Sequence, residues 1–232
     1  RDSYLSIGDV NTFKFLHDGT TDYTVEFYFY LNSIQRFNQI LGTQAHSGEP
    51  GFNMVVAPDT NSTYSSRLIG GIANGVSAGP EHVGFACSPP VAAAVWYHDA
   101  AVYQPTIGLK VYIDGVESIG TGFNGYDGSI TGTASTQPQP FAMKIGDREG
   151  EYFDGYIQDL RISKVARHTC NFTPPDTLLT KCCLDPVEPT CDDVMLHLQS
   201  NTTDVSDAII DVSGENHVVT THGDPSHTTV AV

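Results

Sequence analysis

The chain has 232 residues, enough for one large domain or two small ones, and its 11 basic and 27 acidic side chains give a formal net charge of −16. This acidity argues against nucleic-acid partners and against attraction to an anionic membrane leaflet, because both need clustered lysine and arginine. No apolar run reaches the roughly 20 residues of a membrane-spanning helix. Hydrophobic residues make up 40% and charged residues 16% of the chain, and long helical stretches are missing, which indicates an all-β protein.

Strand patterns dominate from the N-terminus onward. Within residues 22–31, Val25, Phe27 and Phe29 alternate with polar or tyrosine side chains, and this period of two predicts a strand. The tyrosines on its second face predict that this face is also partly covered. Asp114-Gly115 between two apolar runs predicts a hairpin. Further strands are predicted over 51–57, 67–72, 82–87, within 91–103, and over 109–113, 116–119, 141–145 and 155–162, while residues 163–168 are the one stretch that could hold a helical turn.

Residues 173–193 differ from the rest because they combine four prolines with clustered cysteines and little periodicity. Proline fixes φ and removes a backbone donor, so this segment is predicted to be a stiff linker or a strapped loop. Beyond it, residues 194–199 alternate, with Val194, Leu196 and Leu198 on one face, and strands are predicted over 208–212 and 217–221. These strands are too few to form a core of their own, so they must pack on another sheet.

Five runs of residues carry a family resemblance. They are Tyr23-Thr-Val-Glu-Phe-Tyr-Phe-Tyr-Leu-Asn-Ser33, Ala94-Val-Trp-Tyr-His-Asp-Ala-Ala-Val102, Leu109-Lys-Val-Tyr-Ile-Asp-Gly115, Lys144-Ile-Gly-Asp147 and Phe153-Asp-Gly-Tyr-Ile-Gln-Asp-Leu-Arg-Ile-Ser163. Together they resemble the laminin-G-like (concanavalin-A-like) jelly-roll domain, in the version used by phage and microbial surface proteins. The resemblance covers residues 4 to about 175 and implies two packed antiparallel sheets.

The order of the segments differs from that family. There the domain usually opens with a strand like LLLHFDG and then an Asp-x-Ser-Gly-x-x-His-x-Val stretch, and here the matching segments are 194–198 and 211–219. The resemblance therefore implies a permuted order: a jelly-roll body over 1–175, a Pro/Cys-rich linker over 176–193 and a C-terminal donor-strand segment over 194–232.

Two arrangements of that C-terminal segment are possible within separate chains. The segment folds back onto its own body, or it completes the sandwich of the next subunit by strand addition. A third variant is that the 232 residues are one period of a longer tandem array, which the sequence alone does not separate from swapped subunits. Because a stiff linker separates body from tail, we favour donation to a neighbour, which as a head-to-tail contact generates a filament unless it closes a ring. The side chains expected to insert are Val194, Leu196, Leu198, Ile210, Val212 and Val218.

The search for sites gives weaker signals. No catalytic residue is predicted: Glu26, Asp147, Glu149, Glu151, Asp154 and Asp159 are interpreted as ordinary charges, because no E-x-D-x-x-E run of a glucanase is present. No cofactor is required. The resemblance implies that calcium is possible at the rim of the sandwich, with Asp114, Asp127 and Asp147 as weak candidates, and that Trp96 packs in the core. Sugar binding by exposed tyrosine and tryptophan is left open.

Cysteines and sequons point to an extracellular setting. Asn61, Asn171 and Asn201 lie in Asn-x-Ser/Thr sequons and are predicted N-glycosylation sites. Four of the five cysteines, Cys170, Cys182, Cys183 and Cys191, are disulfide candidates, and adjacent cysteines such as Cys182 and Cys183 rarely bond each other. Cys87 is interpreted either as a buried small hydrophobe or as a partner of a linker thiol.

The preferred interpretation is a non-enzymatic extracellular structural subunit. It assembles with identical subunits, head to tail, into a cell-surface or virion-surface filament by C-terminal strand donation, and it is N-glycosylated. The alternative is a carbohydrate-binding or adhesion module with glycan partners. The two interpretations predict different behaviour in solution. A structural subunit polymerises without ligand, whereas a binding module is a monomer that a sugar stabilises.

Overall fold

The computed structural model describes residues 3–44, 49–60, 65–74, 82–118, 135–147, 150–175, 193–200, 209–223 and 225. Strands make up nearly all of the regular structure in these residues, with one 3₁₀ turn at Lys14–Leu16. The strands are β1 (Tyr4–Ile7), β2 (Tyr23–Leu31), β3 (Asn38–Gly42), β4 (Pro50–Val56), β5 (Arg67–Asn74), β6 (His82–Pro90), β7 (Trp96–Gln104), β8 (Gly108–Ile113), β9 (Val116–Glu117), β10 (Met143–Ile145), β11 (Gly155–Ser163), β12 (Val194–Ser200), β13 (Ile209–Asp211) and β14 (Val219–His222).

These strands form two seven-stranded antiparallel sheets. Sheet 1 has the order β14-β1-β10-β3-β4-β5-β6, and sheet 2 has the order β13-β12-β11-β2-β7-β8-β9. The apolar faces of both sheets meet in one core, so the predicted all-β jelly-roll sandwich is confirmed. Among the helical residues that the structure describes, none belongs to a helix long and apolar enough to span a bilayer.

The core forms as the alternation in β2 predicts. Val25, Phe27 and Phe29 are fully buried between the sheets, because successive side chains of a strand point to opposite faces. Tyr23 joins them and stacks on Tyr103 of β7 at a centroid distance of 5.2 Å. Burial of such side chains contributes about 1.5–3 kcal/mol each, and β2 is the middle strand of sheet 2.

The predicted hairpin at Asp114-Gly115 is confirmed. Ile113 pairs with Val116, and the two turn residues have positive φ angles of 51° and 74°. Positive φ at both central residues is the signature of the type I′ turn, which matches the twist of the flanking strands.

The outer face of sheet 2 is crossed by residues 164–175, which we call the strap. Its Ala166 and Phe172 pack against a small cluster of Ala100, Val102 and Tyr112, so the second face of β2 and β7 is covered by the strap rather than by a sheet. Residues 163–168, the stretch that could hold a helical turn, do not form one. The Thr24 hydroxyl donates to the Val165 carbonyl oxygen at 2.8 Å and accepts from the Arg167 N–H at 2.9 Å, and these bonds satisfy backbone groups that a helix would pair internally.

Strand β3 escapes prediction from the sequence because it begins with Asn38 and Gln39, which are poor strand formers. Both are fully buried. The Asn38 amide donates to the carbonyl oxygens of Ser33 and Arg36, both at 3.0 Å, and its Oδ1 accepts from the Asp154 N–H at 2.9 Å. A buried amide is tolerated when it is hydrogen-bonded in this way.

The C-terminal strands pair with the body of the same chain. β12 pairs with β11 and β13 with β12, which extends sheet 2, while β14 pairs with β1 and extends sheet 1. The tail therefore lies at one edge of both sheets and completes its own sandwich, the arrangement that the sequence analysis ranked second. The predicted linker falls almost entirely on residues 176–192, outside the described residues.

A β-bulge changes which tail side chains enter the core. The register moves from Ile162–Leu196 to Ser163–Val194, so Met195 is an extra residue on β12. Met195, Leu196 and Leu198 belong to the core, whereas Val194 is buried outside it. Of the other expected donor side chains, Val212 is half-buried, and Ile210 and Val218 are 42% and 79% exposed.

Candidate functional site

Three aromatic side chains form a cluster on the outer face of sheet 2. Tyr30 of β2 faces outward, and the strand register places Trp96 of β7 and Tyr156 of β11 beside it on the same face. Ring centroids are 5.6 Å apart for Tyr30 and Trp96, 5.7 Å for Tyr30 and Tyr156, and 6.4 Å for Trp96 and Tyr156. Each ring is a neighbour of the other two, and we call this cluster the aromatic platform.

Trp96 is partly exposed, which corrects the expectation that it packs in the core. Its neighbour Tyr97 takes the inward position and stacks on Phe29 at 5.6 Å. Because side chains alternate along a strand, Trp96 must then point outward. Tyr30 is also partly exposed and Tyr156 is 37% exposed.

A polar pair lies next to the platform. The Asn32 amide donates to Asp154 Oδ1 at 3.1 Å, and the Asn32 backbone N–H donates to the Asp154 carbonyl oxygen at 2.8 Å. The Asp154 N–H in turn donates to the buried Asn38 side chain at 2.9 Å. These bonds continue the β2–β11 ladder by one step and fix an amide and a carboxylate at the end of the platform.

The strap bounds the platform on its other side. In the next row of side chains, Tyr28 and His98 are buried, with their rings 4.7 Å apart. The Tyr28 hydroxyl donates to the Pro175 carbonyl oxygen, and the Phe172 ring meets His98 edge-on at 5.7 Å. The Phe172 N–H also donates to the Gly115 carbonyl oxygen at 2.9 Å, which ties the strap to the β8–β9 hairpin.

Beneath the strap, Glu26 is the centre of a buried charge cluster. Its Oε1 lies 2.8 Å from Arg161 Nη2 and 2.9 Å from Arg167 Nε, and its Oε2 lies 3.2 Å from His168 Nε2. Burial alone would raise the pKa of Glu26, but the His168 hydrogen bond and the two guanidinium charges outweigh it and lower the pKa. A carboxylate neutralised in this way holds the strap on the sheet and is not available for acid–base chemistry.

Two buried histidines flank this cluster. Burial lowers the pKa of both His98 and His197 to about 4, so both imidazoles are neutral at physiological pH. His197 lies opposite Arg161 in the β11–β12 ladder. The tail thus contributes one side chain to the polar layer under the strap.

The weak calcium candidates do not converge. Asp114 occupies the β8–β9 turn of sheet 2, where its Oδ1 accepts from the His98 N–H at 2.9 Å. Asp147 follows β10 of sheet 1 and forms an ion pair with Lys144 at 2.8 Å. Asp127 lies outside the described residues. Among the residues that are described, no three His, Cys, Asp or Glu side chains group closely enough to hold a metal ion.

The predicted glycosylation sites are placed only in part. Asn171 is exposed on the strap, and its Oδ1 accepts from the Glu117 N–H at 2.8 Å. Asn61 and Asn201 fall outside the described residues, so their modification stays a prediction.

The predicted disulfides are likewise placed only in part. Cys170 is an exposed free thiol, whereas Cys182, Cys183 and Cys191 lie outside the described residues. Cys87 is a half-buried free thiol, and burial raises its pKa to about 12, which fits the small hydrophobe that the sequence suggested. The pairing of the linker cysteines stays a prediction.

Sequence reasoning missed the platform as a unit. The signal that was available is the pattern of tyrosines at the outward positions of β2 and the Gly155-Tyr156 step at the start of β11. What brings Tyr30, Trp96 and Tyr156 together is the register between three strands that lie far apart in sequence. Register is set by the whole sheet and is not visible in any one strand.

Comparison with known proteins agrees with this architecture. The chain is similar to a candidate carbohydrate binding protein from Bacteroides ovatus, with 18% identity and a TM-score of 0.58 over 95% of this chain and 56% of that one. It is also similar to domains LG4-5 of the mouse laminin alpha1 chain, with 13% identity and a TM-score of 0.43 over 74% of this chain and 47% of that one. The chain thus spans little more than half the length of the first protein.

A search among curated proteins finds no match. The model of the concanavalin A-like lectin/glucanases superfamily matches residues 1–170, which include the body of both sheets. The chain belongs to the concanavalin A-like lectin/glucanases superfamily.

Proposed function

We propose that the protein is a carbohydrate-binding module that holds its ligand on the aromatic platform and performs no reaction on it. The observation that carries this proposal is the cluster of Tyr30, Trp96 and Tyr156 on the outer face of sheet 2. Tyrosine and tryptophan combine a large apolar face with a polar edge. A sugar ring has the complementary design, with an apolar C–H face and hydroxyl groups around its edge.

The choice of binding over hydrolysis is supported by the acidic side chains. The superfamily's name covers lectins and glucanases, so membership allows either activity. Glycoside hydrolysis needs two carboxyl groups about 5–10 Å apart across the sugar, one of them protonated. Glu26 is neutralised by two arginines, and Asp154 accepts from the Asn32 amide. Both carboxylates are held as structural or hydrogen-bonding groups, which favours binding without turnover.

The platform carries its own reporter, because Trp96 is the single tryptophan of the chain. We expect oligosaccharide binding to change the intensity or wavelength of its fluorescence, and titration calorimetry to give the same affinity. Tyr156→Ala should reduce that affinity at least tenfold, since truncating an aromatic anchor of a binding surface costs about 2 kcal/mol or more and about 1.4 kcal/mol is tenfold.

The matched control is Tyr4→Ala. Tyr4 is a partly exposed tyrosine on the outer face of sheet 1, where it stacks on His222 at 4.2 Å. The Tyr4→Ala substitution should leave glycan binding unchanged. Binding that survives Tyr156→Ala and Trp96→Ala, or turnover of the bound glycan, would contradict the proposed function.

We further infer that the module acts outside the cell. The support comes from the three sequons and the clustered cysteines, together with the exposed position of Asn171 on the strap. Expression through a eukaryotic secretory pathway should give a glycosidase-sensitive mass that falls by one glycan in Asn171→Gln. An unmodified Asn171 in secreted material would remove that support.

A second candidate function is head-to-tail assembly by strand exchange. One observation favours it: β12, β13 and β14 lie together at one edge of both sheets. Edge strands can detach while the remaining strands of each sheet stay paired. Residues 176–192 form a connection that can reach about 60 Å when extended. The same contacts can then form within a chain or between chains, as in domain swapping.

Light scattering and negative-stain imaging of the full chain across micromolar concentrations test the exchange. Concentration-dependent filaments would support it, and a chain truncated after Cys191 should lose them. A monomer at every concentration, unaffected by added 192–232 peptide, would rule it out and leave the self-completed fold.

A further inference from the structure

We infer that the aromatic platform holds a single sugar ring, so that the protein recognises the terminal residue of a glycan and not an internal run of a polysaccharide. This inference rests on the proposed function and names the class of ligand. Two observations support it: the triangle that the three rings form, and the strands and strap that bound this triangle.

The three rings form a triangle and not a line. Tyr156, Tyr30 and Trp96 lie directly opposite one another on β11, β2 and β7, so the backbones of the outer two strands are roughly 10 Å apart. The outer rings are nevertheless only 6.4 Å apart, little more than the 5.6 and 5.7 Å that separate each of them from the Tyr30 ring. Trp96 and Tyr156 therefore lean towards each other over β2.

A triangle of this size matches one sugar ring. Its sides are about as long as a pyranose with its substituents is broad, and the ring planes are inclined to one another by 34°, 52° and 54°. A site for a polysaccharide chain needs aromatic rings spaced along a line, because each ring then stacks on a different sugar. Here each ring borders the other two, so one sugar contacts all three.

The row that carries the rings is three strands wide in the described part of sheet 2. On one side, β8 reaches to Ile113, which pairs with Asp99, three residues past Trp96 along β7. On the other side, β12 pairs with β11 over residues 161–163, five or more positions past Tyr156. A sugar chain laid across the strands would thus run off this part of the sheet on both sides of the platform.

The strap closes the platform along the direction of the strands. In the next row, Tyr28 and His98 are buried. The Tyr28 hydroxyl donates to the Pro175 carbonyl oxygen, and the Phe172 ring lies 5.7 Å from the His98 ring. A second sugar on this side would have to displace the strap. A glycan whose last residue sits on the rings instead extends away from the strap, past the C-terminal end of β2.

A glycan array probed with the full chain tests this inference. We expect the bound glycans to share one terminal sugar and to differ in the rest of their chains. Glycans that carry the same sugar only at internal positions should stay unbound. Trp96→Ala should lose these signals, and the control Tyr4→Ala, on the outer face of sheet 1, should keep them.

Calorimetry with the methyl glycoside of the shared terminal sugar tests whether one ring fills the platform. The glycoside should bind with an affinity within tenfold of that of the whole glycan. Tyr30→Ala, Trp96→Ala and Tyr156→Ala should each weaken its binding tenfold or more, because the one sugar contacts all three rings. If the rings held successive sugars, only the ring beneath the glycoside would matter.

The other outcomes separate this inference from the proposed function. Bound glycans that share an internal run of three or more sugars but differ in their terminal residues would overturn the inference. If Trp96→Ala abolishes their binding, the proposed function stays intact. A methyl glycoside that binds more than tenfold more weakly than the whole glycan, or that responds to only one of the three substitutions, would also overturn the inference. If no glycan binds, or if Trp96→Ala leaves binding unchanged, the proposed function itself fails.

Discussion

One buried carboxyl group destabilises the folded state at neutral pH. Asp99 of β7 lies in register with Phe27 and Ile113, which face the core. It is fully buried, and neither of its carboxylate oxygens has a hydrogen-bond partner among the residues that the structure describes. Burial, with a smaller contribution from the Glu26 charge, raises the pKa of Asp99 well above its usual value. The folded state therefore holds a proton that the unfolded chain releases near pH 4.

Removing that proton linkage should stabilise the protein in alkaline solution. Because the pKa of Asp99 is raised in the folded state, its contribution to stability is fully present below about pH 4. That contribution is lost as the pH rises through the folded-state pKa. We expect Asp99→Asn to be more stable than the wild type at pH 8, with a difference that shrinks towards pH 4. Chemical denaturation at several pH values measures both free energies of unfolding.

Asp22→Asn serves as the control for this series, because Asp22 lies outside the core. Its stability should follow the wild-type curve at every pH. An Asp99→Asn protein that is less stable than the wild type at pH 8 would mean that the Asp99 charge has a favourable partner, against the argument from burial.

At the scale of elements, the strap depends on a glycine in the β8–β9 hairpin. A Cβ atom on Gly115 would clash with the Phe172 carbonyl oxygen. Gly150 offers a matched position, since it also has a positive φ, 92° against 74°, but a Cβ there meets no atom of the described residues within 4 Å. Comparing alanine substitutions at Gly115 and Gly150 separates the cost of backbone strain from the cost of displacing the strap.

Gly115→Ala should therefore be more damaging than Gly150→Ala. A left-handed backbone costs alanine about 1–2 kcal/mol, and we expect Gly150→Ala to lose about that much. Gly115→Ala should lose several kcal/mol and should also speed tryptic cleavage after Arg167, because the strap is pushed away from the sheet. Equal losses with equal cleavage rates would show that the strap does not need this close approach.

How far the sequence predicts these elements depends on the kind of signal. The alternation of Val25, Phe27 and Phe29 and the Asp114-Gly115 turn are local, and both are confirmed. The expected core position of Trp96 is wrong, and residues 163–168 do not form the helical turn that they could have held, because tertiary partners decide both. Thr24 binds the strap backbone, and Tyr97 occupies the inward place beside Trp96.

The candidate site is less predictable than the fold for the same reason. Tyr30 and Tyr156 are 126 positions apart, and only the β2–β11 register makes them neighbours. In the sequence Asn32 and Asp154 look like ordinary loop residues. Only the β2–β11 ladder places them opposite each other. Chemistry that arises from register cannot be predicted from a single strand.

At the scale of the whole molecule, the tail belongs to the same cooperative unit as the body. Leu196 is fully buried in the shared core, and Leu198 and Met195 join it there. Leu196→Ala should lower the free energy of unfolding by about 2–5 kcal/mol, as buried leucines usually do. Thermal and chemical denaturation should both show one transition.

Ile210→Ala is the matched control, since Ile210 is an aliphatic residue of the same tail that is 42% exposed. It should change stability by less than about 0.5 kcal/mol. A Leu196→Ala protein in which the tail melts separately, while the body keeps its wild-type transition, would contradict a single cooperative unit.

The pairing of β1 with β14 also has a consequence for synthesis. Ser6 and His222, bonded at 2.9 Å, are 216 positions apart, so the first strand emerges from the ribosome long before its partner. At about 5–20 residues per second, translation leaves β1 waiting roughly 10–40 s for β14. Until then one edge of each sheet is open to other chains. Chaperones have that interval in which to shield the open edges.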